Sequence, residues 1–140
     1  MAHISRVIRQ SVVNRILSSN SFNTWVGGRL FFHLAPETIP GTTTPLTKPY
    51  AVFDILPISE DRNSTNKFYE FILQVNVYDT TQDKVENGSD YLTQLIEDAE
   101  KQFSFVGYKV VSIIPQPVVN LGFTDDVWCI SISYKFNLQQ

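Results

Sequence analysis

Apolar residues along this chain follow two different periods, and their alternation sets out the elements. Near the N-terminus Ile4, Ile8, Val12 and Ile16 recur every four residues, which predicts a helix over about Ala2 to Ser18. Val7, Val13 and Leu17 fall off that stripe while Arg15 lies close to it. Two readings fit: a wide core face with the Arg15 head reaching solvent, or a helix contacted on two sides, by its own core and by a neighbouring subunit. Ser18-Ser19-Asn20-Ser21 favours a stop.

Period two takes over further on. Gly28 to Pro36 and Pro49 to Phe53 read as two strands. The segment between them is too long for a hairpin turn, and Gly27-Gly28 reads as a tight turn into the first strand. Tyr50 to Leu56 is nearly continuously apolar, as a strand covered on both faces would be. In Phe68 to Tyr78, Phe71, Leu73, Val75 and Val77 face one way and Glu70, Gln74 and Asn76 the other. Trp128, Ile130, Ile132, Tyr134 and Phe136 alternate with Cys129, Ser131, Ser133 and Lys135, and Tyr108 to Ile114 reads as the partner strand. Pro115 and Pro117 hold the next stretch to a bend or a sheet edge, and Asp125-Asp126 reads as a hairpin tip.

A second helix is expected from about Ser89 to Phe103. Leu92, Leu95, Ile96, Ala99 and Phe103 share a narrow arc opposite Asp90, Glu97, Asp98 and Lys101. Ser89 is the expected N-cap, with Asn87-Gly88 separating the helix from a preceding loop. Glu97 and Lys101 have the spacing of a helical ion pair. Ser59 to Asn66 reads as a polar connection. The order α-β-β-β-α-β-β gives a single α+β domain over 1–140, with a mixed or antiparallel sheet of four to five strands flanked by two main helices.

Composition narrows what such a domain can do. Apolar residues make up 43% and charged residues 18% of the chain, as in a folded globular protein. A net charge of -3 argues against gripping nucleic acid through its phosphates. Arg6, Arg9 and Arg15 form the one local basic cluster, and on a helix they diverge. No segment reaches the ~20 apolar residues of a membrane span, and the single cysteine cannot form an internal disulfide, so a soluble protein of a reducing cytoplasm is expected.

Reaction chemistry has few candidates. His3 and His33 are the two histidines and Cys129 the one cysteine, which leaves neither a nucleophilic triad nor a zinc ligand set. His33 reads as a surface or edge residue and Cys129 as a small residue on a strand. Glu37 to Lys48, with Pro40, Gly41, Pro45 and five threonines, reads as an exposed arm. The residues therefore describe a non-enzymatic binding or structural domain without catalytic residues, metal or cofactor. A candidate assembly interface comprises Arg6, Arg9 and Val13 on the first helix, Arg29 at the strand start, and Thr42, Thr43, Thr44, Leu46 and Lys48 in or beside the arm.

The strand start Gly28-Arg29-Leu30-Phe31, the exit Ala35-Pro36 and the strand Pro49-Tyr50-Ala51-Val52-Phe53 resemble the tail-terminator, or tail-completion, proteins of long-tailed bacteriophages. The Phe71 to Tyr78 strand, the following helix and the two closing strands come in that family's order. The resemblance implies a virion structural protein of the tail and neck, assembled in the host cytoplasm. It further implies a hexameric ring that terminates the tail tube and joins it to the head connector. The implied partners are further copies of the chain, the tail-tube protein and a head connector or head-closure protein. DNA would pass through the lumen without sequence-specific binding, and no membrane would be involved. A neck or head-completion adapter is the alternative within that class. A small-ligand or peptide-binding domain using a free strand edge is the alternative outside it.

Overall fold

The computed structural model describes residues 4–18, 21–56, 59–63, 66–98, 103 and 105–140. Three helices, α1 (Ile4–Ile16), α2 (Ser21–Val26) and α3 (Gln82–Asp98), accompany seven strands in one mixed sheet. The α+β class therefore holds, with more strands than the expected four or five and one more helix than the expected two. The strands are β1 (Leu30–Phe32), β2 (Tyr50–Ile55), β3 (Ser59–Asn63), β4 (Asn66–Asp79), β5 (Lys109–Pro115), β6 (Val119–Thr124) and β7 (Val127–Gln139).

Two long antiparallel strands carry the sheet. β4 and β7 pair from Phe68↔Gln139 to Asp79↔Trp128. Each is flanked by two shorter strands end to end: β2 and β3 along β4, β5 and β6 along β7. β1 adds to β2 in parallel, with Leu30 opposite Ala51. That direction forces the chain to return between the strands, so the long loop after β1 is a topological necessity.

Alternation decides which face is covered. Phe71, Leu73, Val75 and Val77 of β4 stand opposite Phe136, Tyr134, Ile132 and Ile130 of β7, and all are buried. The helices lie on this face. Ile8, Val12 and Ile16 of α1 are fully buried there, and Val7, Val13 and Leu17 pack at the margin, so the core face is wide. Arg15 keeps its Nε buried and turns Nη1 to the Ser18 hydroxyl at 3.4 Å instead of reaching into solvent. Beyond the end of α3, Phe103 and Phe105 meet Phe71 and Phe136 in a cluster of rings with centroids 5.0–6.1 Å apart. Aromatic burial and edge-to-face packing add to the stability of this part of the core.

Several expectations are corrected. α3 starts seven residues earlier than Ser89, at Gln82, and its N-cap is Thr81, whose Oγ1 accepts a hydrogen bond from Lys84 N at 3.2 Å. Asn87 and Gly88 are interior to that helix. Val85, Leu92, Leu95 and Ile96 form its buried stripe, while Lys101 and Ala99 lie outside the described residues. Phe22 and Trp25 belong to the short helix α2, and Gly27 and Gly28 then turn the chain at φ 59° and 77°. Ser59 to Asn63 is an edge strand paired to β4, because backbone hydrogen bonding makes a strand that side-chain polarity conceals. β2 is covered on one face only: Ala51 and Phe53 are buried, whereas Tyr50, Val52 and Asp54 lie half-buried on the opposite face.

Asp125 and Asp126 do form a hairpin tip. Both adopt positive φ, 52° and 65°, between the paired residues Thr124 and Val127, as a two-residue turn of the I′ type requires.

Candidate functional site

Four surfaces are available for contact, and two of them carry the residues expected from sequence. The first is the α1–β1 edge. Arg6 and Arg9 are exposed one turn apart on α1. The Arg9 guanidinium sits 5.1 Å from the centroid of the Phe32 ring, a cation–π distance. Phe32 is 43% and Leu34 78% exposed, so this edge is apolar with a basic border. Val13 is half-buried against the core. Arg29 braces β1 to the entry of β2, its Nε donating to the Pro49 carbonyl at 2.7 Å. His33, exposed and at φ 69°, has Nδ1 3.2 Å from both carboxylate oxygens of Asp54.

The second surface is the 37–48 segment, which is a projecting hairpin bonded to itself. Ile39 N donates to the Thr44 carbonyl at 2.9 Å, Leu46 N to the Glu37 carbonyl at 3.0 Å, and Thr38 bridges Pro45. Thr42 Oγ1 donates to the Ile39 carbonyl at 2.8 Å and accepts from Thr44 N at 3.3 Å. Thr42, Thr43 and Thr44 are exposed at its tip, Leu46 is half-buried at its base, and Lys48 Nζ reaches the Asp126 carbonyl at 3.5 Å. The arm expected from sequence is therefore a shaped protrusion.

A third surface, absent from the sequence expectations, is the outer edge formed by β5 and β6. Val111, Ile114, Val118, Val119, Leu121 and Phe123 are each 45–56% exposed. Both strands carry an irregularity in register, at Val111 and at Leu121, and a bulge of this kind re-aims the extra side chain. The signal available in the sequence is negative: from Val110 to Thr124 there is no charged residue.

The fourth surface is the uncovered face of the sheet. Tyr50 stacks on Tyr78 with centroids 4.8 Å apart, and Gln74 Nε2 donates to Ser131 Oγ at 3.1 Å. Beside them His33, Leu34, Asp54, Gln74 and Asn76 border a shallow groove of ≈ 320 Å³. Burial first, then the neighbouring Cys129, pushes the Tyr78 phenol up from 10.0 to about 12. Burial likewise raises the Cys129 thiol, with the hydrogen bond to Tyr78 opposing it. Raised values of this kind keep the Tyr78 phenol and the Cys129 thiol protonated at physiological pH. Among the described residues no three His, Cys, Asp or Glu side chains converge as a metal site. No described helix is long and apolar enough to cross a membrane.

No family model matches the chain, and no curated protein matches it in sequence. Solved structures do share its fold. A chain from the virion of a native gene transfer agent particle superposes with a TM-score of 0.77 at 10% identity, with 100% of each chain covered. A second solved chain gives a TM-score of 0.53 at 17% identity, covering 99% of this chain and 98% of that one. Identities this low define a common fold across the full length.

Proposed function

We propose that the protein is a structural component of a phage-like virion, in which copies of the chain form a ring that terminates the tail tube and joins it to the head connector. The single observation that carries the reading is the end-to-end likeness to a chain of the gene transfer agent virion, which leaves no part of either chain over. Geometry agrees with an assembly role: an apolar strand edge on one side of the sheet, a basic apolar edge on the other, and a self-bonded hairpin between elements. The work proposed for it is geometric. One face of a ring matches the last ring of the tube and the other does not propagate it, so growth stops. No enzymatic step is needed, and the net charge of -3 suits a lumen through which DNA slides without being held.

Negative-stain imaging of the purified protein tests this. Closed rings with a central opening, hexameric in count, are expected, and incubation with tail tubes should place one ring at one tube end. A protein that stays monomeric and leaves tube ends bare would overturn the reading.

A further inference from the structure

The two apolar edges lie at opposite ends of the strand order. The path β1-β2-β4-β7 ends in β1 on one side and in β5 and β6 on the other. Neither outer edge has a strand partner among the described residues. Exposed strand edges in monomeric proteins are guarded by charge, brevity or proline, because they otherwise template pairing with another chain. Here the guard by charge is thin: apart from the exposed Lys109 that opens β5, the two strands lie in a fifteen-residue stretch, 110–124, without a charge. Pro115 and Pro117 guard only the junction between them. The bulges at Val111 and Leu121 put two more apolar side chains on the rim, 51% and 53% exposed. Contiguous apolar exposure of this kind marks a contact surface.

We infer that the β5–β6 edge of one subunit seats on the α1–β1 edge of the next copy of this chain, head to tail around the ring. This inference rests on the ring reading above and names the surfaces that would build it. A second copy fits the edge on two counts. Phe32 and Leu34 offer the apolar counterpart to Val119, Leu121 and Phe123. Charge is complementary as well: the exposed Asp125 and Asp126 cap the β6 end, and the exposed Arg9 borders Phe32, with the exposed Arg6 one turn away on α1. Self-pairing of two β5–β6 edges would leave Phe32, Leu34 and both arginines uncovered. Head-to-tail contact covers both surfaces in every subunit, and such contacts close into a ring when the rotation allows.

Site-selective cross-linking combined with mass measurement tests the pairing. In a Cys129→Ala background, Phe32→Cys and Leu121→Cys together should be joined by a short bifunctional thiol reagent into a ladder of oligomers. The two positions are four strand spacings apart within one subunit, about 19 Å, so a shorter reagent cannot bridge them internally. Each single cysteine variant should give no dimer. The charge-introducing pair Leu121→Glu and Phe123→Glu should shift the particle mass to monomer while the circular dichroism spectrum stays unchanged. Dimers from the Leu121→Cys variant alone would overturn head-to-tail seating. Rings that persist in the glutamate variant would overturn the edge assignment and leave the ring reading intact. A wild-type chain that never assembles would remove both. Should the glutamate variant fail to fold, the cross-linking of the cysteine pair decides alone.

Discussion

The indole of Trp25 lies so close to α3 at Gly88 that a Cβ built on that glycine would overlap ring carbons Cη2 and Cζ2. Glycine in a helix interior is unfavourable by about 1 kcal/mol relative to alanine, yet here it lets α2 approach α3. Gly88→Ala thus sets propensity against overpacking, and forced overpacking commonly costs about 1–3 kcal/mol. Overpacking should win. A fall in melting temperature of several degrees is expected by calorimetry, and Trp25→Leu should recover part of it in the double variant. A melting temperature that rises in Gly88→Ala would show that the ring yields freely.

The same contact explains why the start of α3 was hidden in the sequence. Asn87-Gly88 reads locally as a break between a loop and the helix that follows, whereas packing against Trp25 makes glycine the residue that fits inside the helix. By contrast, the long strands were legible from their alternation: burial alternates along Phe71 to Val77 and from Ile132 to Leu138, although Cys129 and Ser131 are buried together with Ile130 and Ile132. The short elements were not. α2 has six residues, fewer than two helical turns and too few for a repeat to show, and β3 is polar throughout, so no apolar alternation marks it as a strand. Of the residues expected at an interface, Arg6, Arg9 and Thr42 to Thr44 lie on the surface, whereas Arg29 donates its Nε to the Pro49 carbonyl. The β5–β6 edge was missed because Val111 and Leu121 look like strand-core residues until a bulge turns them outward.

Ile132 is 1% exposed, stands opposite Val75 at the centre of the sheet, and has no polar group of its own to satisfy a charge. Ile132→Asp should abolish folding, since an unpaired buried carboxylate costs several kcal/mol against a total stability of about 5–15 kcal/mol. The measurement is soluble yield and circular dichroism. A soluble variant with an unchanged melt would mean that Ile132 does not face the core.

Alkaline pH should loosen the uncovered face. The folded chain holds the Tyr78 proton up to about 12, and burial also raises Tyr50 and Tyr134. In the unfolded chain a tyrosine ionises near its usual 10.0. Between those values the native state binds more protons, so stability falls as pH rises. Below the unfolded value the contribution is fully present and flat. Melting temperature should therefore decline from about pH 10 toward pH 12, and Tyr78→Phe should flatten part of that decline. An identical slope in the variant would assign the loss to other groups.

The 37–48 hairpin should matter for joining and little for folding. Its hydrogen bonds close on itself, Ile39 to Thr44 and Leu46 to Glu37, and its threonine tip is exposed. The outward tie from Lys48 to the Asp126 carbonyl is long, at 3.5 Å, and exposed. Shortening a surface loop changes closure entropy by only about 0.6 kcal/mol per halving of its length. Replacing residues 38–45 with a short Gly/Ser linker, with Arg29, Lys48 and Pro49 kept, should leave the circular dichroism spectrum unchanged and the melt within a few degrees. The same variant should lose most of its ability to join heads to tails in an in vitro mixing assay scored by electron microscopy. Joining at the wild-type level would reduce the hairpin to a connection between β1 and β2. A large drop in melting temperature would instead show that the half-buried Leu46 anchors more of the β1–β2 edge than its place at the base of the hairpin implies.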